Sequence, residues 1–468
     1  MKKLKSTFAL YFGNRGFFPE SLIAEARKEL SDSLKKLGHE FLMMDSSLTR
    51  FGAVESPEEG RKYAKFLDEH KGQFEGVILC LPNFGDETGA VSALQDAGVP
   101  IYILAYPDEL DKMNFNQRRD AFCGKFSIMD VFYQYQLPYT VFPPHTVHPF
   151  SKEFELQIDT FHKICKIVKG MKRMTVGAIG ARTTAFKTVR YDELALQKYG
   201  ITTEVLDLSE VFSRVRKLDM ASIAAKEKAD KLKNYTNFKN VPGKSFENLV
   251  RFGVVIDEII YEYGLNTLAL RCWLEIEKEF GVSPCVLLSE INDRGFPAAC
   301  ELDVCNAITM YALNLASGRP STCLDWNNNY GDDPDKCILF HCGPVPQSLM
   351  TAKGEVIDHP MFAKELGAGC GFGCNVGRIA PDKITFASSK TQDGKLHVYM
   401  GEGEFTGDLI QEGFFGCGGV AKIDHLQEKL YKIGYGGYRH HVSVTPGLVG
   451  AALQEAFTRY LGYEITEI

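Results

Sequence analysis

Apolar runs of five to seven residues alternate with amphipathic stretches through the first half of the chain. Residues 6–12 read as a strand. Residues 20–37 follow with helical spacing and end at Gly38, and a second strand closes at Asp45. The runs at 76–82 and 100–106 flank another helical stretch. Continuous apolar strands separated by helices predict a parallel, doubly wound sheet, with ligands taken at the carboxyl ends of its strands. The loops there are Gly13-Asn14-Arg15-Gly16, Leu81 to Glu87 and Ala105 to Glu109. A Pro- and His-containing stretch at 136–150 marks a junction, after which a helix around 151–170 and a strand at 175–181 restart the alternation. Beyond about 318 the pattern changes to short β-type runs broken by Gly, Asn and Asp, closing on an apolar terminal helix. The expected architecture is α/β: two doubly wound parallel-sheet domains, 1–143 and 144–297, and a β-rich, barrel-like domain, 298–468.

Composition narrows the function. A net charge of −7 without a basic, aromatic-interleaved face argues against nucleic acid and anionic membrane as partners. The apolar start is too short for a secretory leader, and no run approaches membrane-span length. Thirteen scattered cysteines fit reduced, buried thiols, hence a cytoplasmic protein. Gly177, Gly180 and Arg182 do not make a dinucleotide fingerprint, and no phosphate-cradling loop is present, so no nucleotide cofactor is expected.

Candidate chemistry concentrates between Arg271 and Met310, where Glu275, Glu277, Glu279, Glu290, Asp293, Glu301 and Asp303 sit in apolar company. A buried carboxylate needs a cation or donors; Glu301 and Asp303 could equally stay half-exposed at the start of the following helix. With the pair His440-His441, Glu275, Glu301 and Asp303 would suit a divalent ion that takes oxygen and imidazole, such as Mn²⁺, Mg²⁺ or Co²⁺.

A series of motifs runs in order along the chain: FGNRGFFPE, LPNFGDE, YPDE with RRDAFCGK, GAIGARTTAF, RCWLE, INDRGFPAACELDV, LDWNNNYG, ILFHCGP and RHHVSVTPG. Together they resemble the L-fucose/L-arabinose isomerase superfamily, in particular its shorter fucose isomerase-like members. The resemblance implies aldose–ketose isomerisation of a free or modified, unphosphorylated sugar through a cis-enediol. One Mn²⁺-type ion and two acid/base carboxylates would carry it. It places the first carboxylate at Glu275, with Glu277 as alternative, and the second at Asp303, with Glu301 as close rival. Glu275, Asp303 and His441 would hold the metal. Asn14, Arg15, Glu301, Trp326, Asn327, His341 and His440 would contact the sugar. It also implies a homo-oligomer, trimer or hexamer, with the active site completed at a subunit interface. A sugar-binding protein without turnover, or a lyase or epimerase using the same enediolate chemistry, are the competing readings.

Overall fold

A computed structural model describes residues 5–468. The chain divides into two compact units: one runs through Lys169 and adds Gln454–Gly462, the other spans Gly170–Leu453 with Tyr463–Ile468.

The first unit is built on strands β1 (Thr7–Phe12), β2 (Glu40–Met43), β3 (Gly76–Leu81) and β4 (Ile101–Ala105), all parallel, in the order β2-β1-β3-β4. Alternate residues explain why these runs are apolar throughout. Ala9, Tyr11, Val77, Leu79, Ile101 and Ile103 pack into one layer, while Phe8, Leu10, Ile78, Cys80, Tyr102 and Leu104 pack into the other. Both faces are covered, so no strand position is free to be polar. Helix Lys152–Met171 puts Phe154, Ile158, Phe161 and Cys165 into that second layer, so the unit extends well past residue 143. In the terminal helical segment, Tyr460 Oη meets Thr140 Oγ1 at 2.9 Å within this same unit.

In the second unit, β5 (Met174–Ile179), β6 (Ile201–Leu206), β7 (Thr267–Leu270) and β8 (Ala298–Ala299) repeat the parallel pattern in the order β6-β5-β7-β8. The nine remaining strands form one sheet: β9 (Thr322–Asn329), β10 (Lys336–His341), β11 (Glu355–Asp358), β12 (Phe372–Arg378), β13 (Asp382–Gln392), β14 (Lys395–Phe405), β15 (Cys417–Lys422), β16 (His441–Pro446) and β17 (Glu464–Ile465). The run β15-β10-β9-β16-β13-β14 closes on itself because β14 also pairs with β15, making a six-stranded barrel that removes its own edges. The long β13–β14 hairpin turns at Asp393-Gly394, both at positive φ, as a tight two-residue turn demands.

Helix Val304–Ser317 connects β8 to the barrel. It is apolar nearly all round because it is buried nearly all round. Two of its polar side chains bond to the barrel: Thr309 Oγ1 to Ser389 Oγ at 2.9 Å, and Asn306 Oδ1 accepting from Ser443 Oγ at 2.8 Å. That docking fixes the start of the helix against β16, and so positions the residues just before it.

Candidate active site

Barrel register brings the first two groups together. In the antiparallel β9–β16 pair, Asp325 lies opposite His441, and β10 ends at His341 on the other side of β9. The third group comes from the turn between β8 and helix Val304–Ser317. Glu301 and Leu302 both occupy the left-handed region there, at φ 60° and 61°. Two successive side-chain-bearing residues in that region are costly, and such strain persists where the surroundings impose it, typically at functional sites.

The result is a convergence of polar atoms that lack hydrogen-bond partners. His441 Nε2 lies 3.1 Å from Glu301 Oε2 and 3.4 Å from Asp325 Oδ1. All three atoms are buried without a hydrogen bond, as is His341 Nε2. Buried acceptors left in this state call for a cation or a ligand. The donor set of two carboxylates and one imidazole fits a divalent ion of the Mn²⁺, Mg²⁺ or Co²⁺ kind. The candidate ligand atoms of Asp325, His341 and His441 fall within 4.8 Å of one another, as do those of Glu301, His440 and His441.

The two central imidazoles are set up differently. His441 Nδ1 lies 2.8 Å from Asp303 Oδ2, a carboxylate that can only accept, so Nδ1 carries a proton and Nε2 is left facing Glu301 and Asp325. Burial works to lower this imidazole, but Cys323, Asp303 and Glu301 outweigh it and hold the ring above its ordinary range, so Nε2 is the nitrogen that exchanges a proton for a cation. His341 Nδ1 instead accepts from the Cys342 backbone N–H at 2.9 Å, which leaves the neutral ring's proton on Nε2. His441 is thereby arranged as a metal ligand and His341 as a hydrogen-bond donor into the site.

Asp303 caps helix Val304–Ser317 through Asn306 N at 3.1 Å and also accepts from Asn306 Nδ2 at 2.7 Å. It forms a buried ion pair with Arg439. Burial works to raise its carboxyl, but Arg439 and then His441 outweigh burial and hold it well below the ordinary range. Both oxygens are therefore occupied. Asp303, expected as an acid/base group and metal ligand, orients His441 here, and with Cys323 and His441 it also forms a group whose candidate ligand atoms fall within 4.8 Å of one another. Glu301, its rival, faces the convergent centre. Burial also opposes ionisation of Glu301, and the neighbouring His441, then His341 and His440, keep its carboxyl below the usual value.

Of the remaining expected residues, His440 borders this centre and the rest are dispersed. Glu275 stands at the start of helix Glu275–Phe280, 42% exposed, with Arg271 Nη2 at 3.5 Å and Lys278 Nζ at 3.4 Å; it belongs to none of the metal-competent groups among the described residues. A solvated ion pair satisfies it where it is. Glu277 is buried in the same helix, and burial pushes its carboxyl up to about 8. Trp326 is a packing residue, edge-on to Phe386 with Nε1 bonded to Tyr399 Oη at 3.1 Å. Asn327 is exposed on β9 and bonds Asn328. His440 is half-exposed, 3.7 Å from Asp325, with its ring perpendicular to Phe186. Asn14 and Arg15 lie in the first unit. There Asn14 bonds Glu55 and Asn83, and Arg15 bonds Gly85 O at 2.9 Å, pairs with Glu87 and covers the Phe84 ring.

Sequence reasoning passed over Asp325 and Arg439. Both adjoin residues it did select, Trp326 and His440. The usable signal was period-two alternation: in a strand that buries Leu324 and Trp326, the charged residue between them points the other way and needs its own explanation.

A cavity of about 330 Å³ opens beside Glu301 and His341. Cys272, Trp273, Cys285, Cys300, Cys342, His359, Met361 and Phe362 also line it. A larger depression of about 740 Å³ beside Lys233, Lys239 and Lys353 holds none of these groups.

The chain as a whole is similar to known isomerases. Residues 9–172 match the family described as fucose/sulfoquinovose isomerase, N-terminal domain, and residues 339–468 match L-fucose isomerase, C-terminal domain. A sulfoquinovose isomerase of Priestia megaterium is 24% identical over 400 residues, covering 83% of this chain and 85% of the relative. One from a Clostridium species is 26% identical over 260 residues, covering 55% and 54%. Two domain matches at the two ends, with relatives aligned across most of the chain between them, place this protein in the fucose isomerase-like superfamily, as an isomerase.

Proposed function

We propose that this protein is a divalent-metal-dependent aldose–ketose isomerase, acting on a free or modified, unphosphorylated sugar through a cis-enediol. The observation that carries this reading is the approach of Glu301 Oε2 and Asp325 Oδ1 to His441 Nε2, three buried atoms without hydrogen-bond partners, with Glu301 also lining a cavity of about 330 Å³. Glu301, Asp325 and His441 would hold the ion, with Mn²⁺ the favoured metal. Once bound, it would act as a Lewis acid toward the sugar's C1 and C2 oxygens.

The chain's own residues do the rest. Moving a proton between C2 and C1 needs a base over the ring-opened sugar and an acid for the carbonyl oxygen. Glu301 and Asp325 are the two carboxylates with oxygens left for that work. His341 donates from Nε2 to a substrate oxygen, and Asp303 holds a proton of His441 on Nδ1, so that Nε2 is the nitrogen left to give up its proton to a bound ion. The relatives act on sulfoquinovose by name, which supports a hexose or hexose derivative as substrate. A cytoplasmic homo-oligomer, with Asn14 and Arg15 reaching a neighbouring subunit's site, belongs to the same proposal; no helix among the described residues is long and apolar enough to cross a membrane.

Incubating the protein with Mn²⁺ and a panel of aldoses tests the reading. Ketose should form, EDTA should stop it, and Mn²⁺ should restore it. Tight sugar binding with no ketose at any metal concentration would refute it.

A further inference from the structure

The lining of this cavity includes an unusual histidine. His359 lies between β11 and helix Pro360–Leu366 and is 1% exposed, yet neither Nδ1 nor Nε2 has a hydrogen-bond partner. Its ring stacks on Phe362 with centroids 4.0 Å apart and meets Phe415 edge-on at 5.7 Å, so packing fixes its orientation. Asp358, the nearest acid in sequence, does not serve it: those carboxylate oxygens accept from Gly369 N and Gly371 N at 2.6 and 2.9 Å. A buried imidazole with two idle nitrogens is expensive unless a ligand completes it.

The surroundings say which ligand. Trp273, Leu274, Cys342, Met361 and Phe362 make the wall apolar, and the one further charged residue lining it is Glu365. No lysine or arginine of this chain lines the cavity among the described residues, and Arg15, the cation a neighbouring subunit would bring, is already paired with Glu87 and covers the Phe84 ring. Burial lowers the His359 imidazole to about 4, so at neutral pH the ring is uncharged, with one donor and one acceptor. A hydroxyl group offers the matching pair. A sulfonate or phosphate offers acceptors only and would bring a full negative charge into an apolar wall beside a carboxylate.

We infer that His359 is a specificity-determining residue that binds a hydroxyl of the substrate remote from C1 and C2, and that this pocket selects a sugar uncharged at that end. The inference rests on the isomerase reading and divides this chain from relatives named for a sulfonated sugar.

The test uses the full-length protein loaded with Mn²⁺, assayed for ketose with a neutral aldohexose series and with the same hexoses carrying a sulfonate at C6. The neutral sugar should have the higher kcat/KM. His359→Ala should raise KM for it by about tenfold, the loss of one or two hydrogen bonds, with a much smaller change in kcat. His359→Gln keeps a donor and an acceptor and should recover part of that loss; its melting temperature guards against an Ala variant that fails to fold. A higher kcat/KM for the sulfonated hexose, or an unchanged KM in both variants, would overturn the inference while leaving the isomerase intact. No ketose from any sugar would overturn both.

Discussion

Replacing Asp303 by Asn removes one charge and two lone-pair directions from a fully buried position, and its cost can be worked group by group. The carboxylate accepts from Arg439, from His441 Nδ1 at 2.8 Å and twice from Asn306, at 3.1 and 2.7 Å. An amide has one acceptor oxygen for these donors, and its own NH₂ must face one of them. Arg439, 6% exposed, loses its counter-ion. Breaking a buried pair from one side costs about 3–5 kcal/mol. That is a large part of a total on the order of 5–15 kcal/mol, so the variant should fold with a melting temperature lower by roughly 10 °C. The chemical effect is separate. Asn Nδ2 can face His441 Nδ1 only if the imidazole moves its proton to Nε2, the atom aimed at Glu301 and Asp325. Metal affinity should then fall at least 10- to 100-fold, about the cost of losing an outer partner. Equilibrium dialysis with Mn²⁺ and turnover measured at saturating metal would read the second effect, and chemical denaturation the first. The pH dependence fixes the source. Because the folded-state pKa is depressed, the stabilisation is present above the unfolded value near 4 and lost as pH falls below it. The gap between wild type and variant should therefore close in acid. Wild-type Mn²⁺ affinity and turnover in Asp303→Asn would refute the orienting role.

Glu301→Gln and Asp325→Asn should each lower kcat by about 10²–10⁴ in steady-state assays, with the fold retained by circular dichroism. His441→Ala should abolish Mn²⁺ binding measured by calorimetry. Glu277→Gln tests burial alone. Its folded-state pKa is raised to about 8 against an unfolded value near 4.3, so wild type loses stability as pH rises through that interval. The variant should match wild type near pH 4 and exceed it by a few kcal/mol above pH 8, in urea melts across the range. Arg15→Ala removes a half-buried pair and a ring contact, so a loss of roughly 1 kcal/mol with unchanged kcat is expected; a raised KM at unchanged stability would instead support the neighbouring-subunit role.

The fold was legible because its signals are local. Runs such as Gly76–Leu81, apolar at every position, can only be strands covered on both faces, and the Gly- and Asn-punctuated third of the chain announced a β-rich domain of short runs. The site was half legible for a related reason. Carboxylates in apolar company were the right place to look, and the expected meeting of the middle of the chain with its tail is present in the Asp303–His441 contact. What sequence could not say is which oxygen each carboxylate offers, and to whom. Glu301 and Asp303 are two residues apart in one apolar stretch, yet left-handed backbone at Glu301 and Leu302 turns one acid toward the convergent centre and leaves the other as a helix cap. Asp325 reaches the centre only through a cross-strand register with His441, a pairing that depends on closing the barrel.

That closure also explains why the site tolerates so much uncompensated polarity. Two carboxylates converging on one buried imidazole nitrogen would repel each other and open a flexible loop. Here Asp325 and His441 are tied into adjacent barrel strands, and Glu301 is held by a helix whose first turn is bonded to Asp303 and whose Asn306 is bonded to Ser443. The barrel supplies rigidity, Arg439 and Asp303 set the tautomer of His441, and the repulsion remains stored until a cation relieves it. A protein built this way should be stabilised by its metal: binding to the folded state alone adds RT ln(1 + [L]/Kd), about 2.7 kcal/mol at a hundredfold excess over Kd. Melting temperature should rise with Mn²⁺ in wild type and stay flat in His441→Ala. A variant that still responds would place the ion elsewhere and remove the basis for the assignment of Glu301 and Asp325.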